Sequence, residues 1–185
     1  MDFSEVVNTV KSAISDFETW VKANPGLILS EADFERHLSN AISDLLAMQN
    51  NSTDTFVVHN QISHYPDDEY QHRCKRDSQV DILIMKDEDI QKDSTISKGF
   101  VYAGDSIPIE LKYYRKGQTV SSIINDLEKS ESLLNGNNHF NCSFFVIALL
   151  EEENDNQMGT IQQYFEQYQG KENMFTFCFS KTRNH

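Results

Sequence analysis

Apolar residues recur every three to four positions at the start of the chain: Phe3, Val6, Val7, Val10, Ala13, Ile14, Phe17, Trp20 and Val21. That spacing predicts an amphipathic helix over residues 2–23, ended by Asn24-Pro25-Gly26. Ser30 then supplies an N-cap for a second helix over residues 30–48, with Phe34, Leu38, Ala41, Ile42, Leu45 and Leu46 on one face. After a polar turn at 50–54 the helical period is lost. Residues 55–59 form the first strand candidate, and 60–78 are polar with no readable pattern. Residues 79–85 and 107–114 are short, β-branched apolar runs bounded by polar stretches, which predicts buried strands. The polar insert between them holds a short strand at 99–102. A third helix spans 120–134, carrying Val120, Ile123, Ile124, Leu127 and Leu134, and is broken by Asn135-Gly136-Asn137-Asn138. A strongly apolar central strand at 140–150, a helix at 159–169 and a last strand at 174–180 complete the chain.

A run of strands that ends in β-α-β predicts an α/β fold, a central mixed sheet flanked by helices. No internal repeat or linker divides the 185 residues. They read as one domain: an N-terminal helix (1–24), a core (30–150), and a C-terminal helix and strand (159–185).

Three charged residues interrupt this pattern. Asp81 lies inside Val80-Asp81-Ile82-Leu83-Ile84-Met85, and Glu110 and Lys112 lie inside Ile107-Pro108-Ile109-Glu110-Leu111-Lys112-Tyr113-Tyr114. Alternation along a strand places Glu110 and Lys112 on one face, opposite Ile109 and Leu111. Desolvating such groups costs on the order of several kcal/mol unless they are paired or bind a metal. Either a buried ion pair of Lys112 with Asp81 or Glu110, or a metal site, must compensate.

Composition narrows the setting. Aromatic residues (12 Phe, 7 Tyr, 1 Trp) fit a folded chain, and no apolar run is long enough to span a bilayer. The N-terminus lacks the basic-then-apolar pattern of a secretory signal, and Cys74, Cys142 and Cys178 form no Cys-x-x-Cys pair, so a reducing cytoplasm is the expected compartment. The net charge of −13 weighs against a generic polyanion binder. Locally the balance reverses: Arg73, Lys75 and Arg76 precede Asp81, and Arg115 and Lys116 follow Lys112. The six histidines show no metalloprotease spacing, and with only 7 glycines there is no phosphate loop or dinucleotide fingerprint.

Asp81 followed by Glu110-x-Lys112, with a helix before and a helix and apolar strand after, resembles the PD-(D/E)XK nuclease superfamily. The resemblance spans residues 30–150. The proline of the namesake dipeptide is absent, since Gln79 and Val80 precede Asp81. The resemblance implies a restriction-endonuclease-like fold and Mg²⁺-dependent hydrolysis of phosphodiester bonds in DNA, with Mn²⁺ as a substitute. Asp81, Glu110 and the Leu111 carbonyl would bind the metal, a donor set that suits a hard cation. Lys112 would orient the attacking water, because nearby carboxylates keep a buried lysine protonated. Glu35 on the second helix would bind a further metal or orient a water, with Glu31 one turn earlier as the alternative. Arg73, Arg76, Arg115, Lys116 and Gln118 are the candidates to contact DNA, and either Tyr113 or Tyr114 is expected to face the core. Asp126 and Lys129 match an Asp-x-x-Lys pattern that bacterial relatives of the superfamily carry on this helix, but read more simply as an i,i+3 surface pair. With no separate DNA-binding domain, target choice would need a partner protein or a homodimer, for which Phe17, Trp20 and Val21 are interface or core. Two other readings stay open: a silent nuclease-fold regulatory module, and an acidic DNA-mimic inhibitor.

Overall fold

The computed structural model describes residues 1–49, 55–63, 79–92, 100–102, 104–115, 119–136, 141–151 and 156–181. Its elements run α1 (Phe3–Ala23), α2 (Glu31–Gln49), β1 (Phe56–Ser63), β2 (Gln79–Lys86), β3 (Ile90–Lys92), β4 (Phe100–Tyr102), β5 (Ser106–Tyr114), α3 (Ser121–Gly136), β6 (Phe144–Leu150), α4 (Asn156–Tyr168) and β7 (Met174–Ser180). The class is α/β. Five strands form one open mixed sheet in the order β1-β2-β5-β6-β7, and β3 and β4 form a separate two-stranded ribbon.

Local chemistry fixes the helix starts. In α1, Asp2 and Glu5 form a reciprocal capping box, each side chain accepting from the other's backbone amide. In α2, the Ser30 hydroxyl accepts from the Asp33 amide at 3.1 Å and donates to the Asp33 carboxylate at 2.9 Å.

The sheet is antiparallel through β1, β2 and β5, then parallel from β5 to β6 and β6 to β7, where α3 and α4 make the crossovers. Helices α1 and α2 cover one face. Val10, Ile14, Phe34, Leu38 and Ile42 pack there against Ile82, Ile84, Ile109, Leu111, Ile147 and Leu149. Helices α3 and α4 cover the other, where Ile123, Leu127, Ile161 and Phe165 meet Leu83, Met85, Val146 and Ala148. Every residue of β6 is buried, as a strand covered on both faces requires.

Several elements differ from those the apolar pattern predicts, among them α3, which runs through Asn135 to Gly136 rather than being broken there. Strand β1 continues to Ser63, because Asn60, Ile62 and Ser63 find partners on β2 although polar residues interrupt the apolar run there. Strand β3 was not predicted; three residues are too few to show a period. Strand β6 begins at Phe144, preceded by a single bridge from Cys142 to Ser106. Helix α4 begins at Asn156, earlier than its apolar stripe. Phe17 and Val21 are buried in the core, and Trp20 stacks on Phe17 at 5.5 Å, so this side of α1 is core. Tyr113 and Tyr114 are both buried, on opposite faces of the sheet, where only one was expected to be. Among the described residues, no helix is long and apolar enough to cross a membrane.

Candidate active site

Strands β2 and β5 pair from Met85↔Ser106 to Ile82↔Ile109, and there the ladder stops. The next rung would place Asp81 opposite Glu110. Instead of backbone pairing, the Asp81 carboxylate accepts the Leu111 amide at 2.7 Å. One turn of the opening further, the Tyr113 amide donates to the Glu31 carboxylate of α2 at 3.2 Å. Residues 111 and 113 point their backbone groups to the same edge, so two carboxylates cap the β5 edge that β2 leaves exposed. The Leu111 carbonyl faces this cleft along with its amide.

Glu110 and Lys112 share the α3 side of the sheet by strand alternation, and helix α3 supplies their counter-charges. Glu110 is 5% exposed and its carboxylate contacts the Lys129 ammonium. Burial, then the Asp81 charge, pushes its carboxyl up to about 7, against the pull of Lys129. Lys112 pairs with Asp126 at 3.1 Å rather than with Asp81 or Glu110. Burial disfavours its charge, but Asp126, Glu31 and Asp81 outweigh this and raise its value above the ordinary lysine range. Lys112 is therefore a firm cation. Burial raises Asp126 as well, with Lys112 and Lys129 opposing.

The α2 acids line the opposite wall. Glu35 accepts from the Gln61 side-chain amide at 2.7 Å, and the same nitrogen donates to Asp81 at 3.0 Å. Partial burial raises the Glu35 carboxyl, the Gln61 bond lowers it, and Asp81 and Glu31 raise it further.

The structure therefore gathers Glu35, Asp81, Glu110, Leu111 and Lys112 around one opening. Arg115 lies on the α2 side of β5, its guanidinium on the Leu29 carbonyl and 5.1 Å from the Tyr113 ring centre. Arg73, Arg76, Lys116 and Gln118 lie outside the described residues. Among the described residues, no three His, Cys, Asp or Glu side chains are arranged to hold a metal ion. Asp81 is engaged by Leu111 and Gln61, and Glu110 by Lys129. The donors themselves fit a hard cation in type, being carboxylates beside a backbone carbonyl.

One expectation is corrected here. Asp126 and Lys129 are not a surface pair with each other; they turn toward Lys112 and Glu110. The available signal was their position beside the apolar stripe Ile123, Leu127 and buried Ser130, an edge that a helix presents to the sheet. Gln61 carried no signal as an isolated polar residue at the end of a strand. No family model, curated protein or solved structure matches this chain.

Proposed function

We propose that the chain is a Mg²⁺-dependent nuclease of restriction-endonuclease-like fold that hydrolyses phosphodiester bonds in DNA. The observation that carries this reading is the parting of β2 and β5 at the Asp81–Glu110 rung, beside a lysine held cationic. The element order supports it: a helix before the two carboxylate strands, then a helix and an apolar strand after them, is what the resemblance implies. Asp81, Glu110 and the Leu111 carbonyl would hold Mg²⁺, or Mn²⁺ in its place. When bound, the metal would activate water and offset charge on the phosphate. Lys112 orients that water and the scissile phosphate, and Asp126 fixes its ammonium from behind. Glu35 orients a water or binds a further metal. Lys129 acts as the counter-ion of Glu110 in the metal-free protein. DNA is the partner, with a second copy of the chain or another protein selecting the target.

One observation favours a second reading, a nuclease-fold module that binds without cutting. Lys112 and Lys129 already pair with Asp126 and Glu110, so two of the acids at the site have counter-ions without a metal. Calorimetric titration with Mn²⁺ separates the two. The nuclease reading expects binding in the wild type that is lost in Asp81→Ala and Glu110→Ala. A wild type that takes up no Mn²⁺ removes the nuclease reading and leaves the silent module.

A further inference from the structure

We propose that Gln61 is a positioning residue that makes Glu35 part of the cation site, its side-chain amide tying the carboxylate of α2 to that of β2. The inference rests on reading Asp81 and Glu110 as a cation-binding centre.

Three observations converge on it. The first is the bridge: a single amide nitrogen donates to Glu35 at 2.7 Å and to Asp81 at 3.0 Å, so a neutral group holds together two acids that would otherwise repel. The second is the backbone. Gln61 has φ of 53°, a left-handed conformation uncommon for a residue with a side chain and concentrated at functional sites. The third is the register. Strand β1 pairs with β2 on both sides of Gln61, from Phe56↔Lys86 to Asn60↔Ile82 and again at Ile62↔Val80, which sets Gln61 opposite Asp81.

These features have one geometric result. Consecutive residues of a regular strand point to opposite faces. Here Asn60 and Gln61 both reach α2, Asn60 through Ser39 at 3.2 Å and Gln61 through Glu35. The left-handed turn breaks the alternation and directs the Gln61 amide to the gap between α2 and β2. Gln61, Asp81 and Glu110 thereby occupy one rung across three strands, the rung at which backbone pairing opens. A tether that served only to dock α2 would not need to end on Asp81.

The test is a double-mutant cycle read by Mn²⁺ calorimetry on the full chain. Gln61→Gly keeps the left-handed backbone without strain and removes the amide. Loss of such an outer partner is expected to weaken Mn²⁺ binding about tenfold, with the unfolding temperature no lower than wild type. Gln61→Asn tolerates the same backbone but draws the amide back by one methylene, and is expected to give a similar loss. Glu35→Ala weakens binding by the same factor, and adding Gln61→Gly to it produces no further loss. Wild-type affinity in both Gln61 variants, or losses that add in the double mutant, overturns the positioning role alone. A wild type that binds no Mn²⁺ overturns the cation centre and this role with it.

Discussion

Glu110 stands between two opposing fields. Burial and Asp81 favour its neutral form, while Lys129 favours the carboxylate, and the balance leaves it titrating at about 7. Its value is raised from the ordinary 4.5, so between those two values the folded protein holds a proton that the unfolded chain has released. Stability therefore falls as pH rises through that window. The groups that face it, Asp81, Asp126 and Lys129, are those already named. Glu110→Gln removes the titration while keeping the shape. In metal-free protein the wild type is expected to lose melting temperature between pH 5 and pH 8, and Glu110→Gln to lose less. At pH 8 the variant should melt higher by roughly 2–4 °C for each kcal/mol recovered. Parallel melting curves for the two proteins across that range would show that burial of this carboxylate is fully offset.

At the scale of elements, the opening between β2 and β5 is maintained by side chains rather than by backbone. The Asp81 carboxylate replaces the missing strand partner of Leu111, and a hydrogen bond to a charged acceptor contributes about 1.5–3 kcal/mol. Asp81→Ala is expected to speed amide exchange at Leu111 by roughly ten- to a hundredfold by that estimate, with Ile109 in the intact ladder still protected. Equal protection of Leu111 in both proteins would mean that another group caps this edge. Much of this level was legible in the sequence. The apolar periods of α1 and α2 and the continuous run of β6 located their elements, because burial on one or two faces imposes those patterns directly. The triplet was legible for the same reason, since Asp81, Glu110 and Lys112 violate the pattern around them. What was hidden depends on crossings between elements. Nothing local to Asp126 or Lys129 says that α3 turns them toward β5, and nothing in a glutamine after Asn60 announces a left-handed residue. The ends of β1 and the short β3 were unreadable because pairing, not periodicity, creates them.

The whole molecule carries a charge of −13, and its cleft repeats that imbalance. Glu31, Glu35, Asp81, Glu110 and Asp126 face only Lys112 and Lys129 among the described groups there. A phosphate approaching such a site meets net repulsion unless a divalent cation intervenes, so association with DNA and its hydrolysis should both depend on added metal. The three-layer fold suits this dependence. It holds Asp81 and Glu110 on adjacent strands covered by helices on both faces, and brings Lys112 from the second of those strands. The most direct measurement is cleavage of duplex DNA by wild type and Lys112→Ala, each checked for native fold, with Mg²⁺ and with chelator. We expect wild type to cut with Mg²⁺ and not with chelator, and Lys112→Ala to lose at least about 10²-fold in rate while still binding Mn²⁺. Cleavage by Lys112→Ala at the wild-type rate, or no cleavage by wild type with either Mg²⁺ or Mn²⁺, would contradict the account.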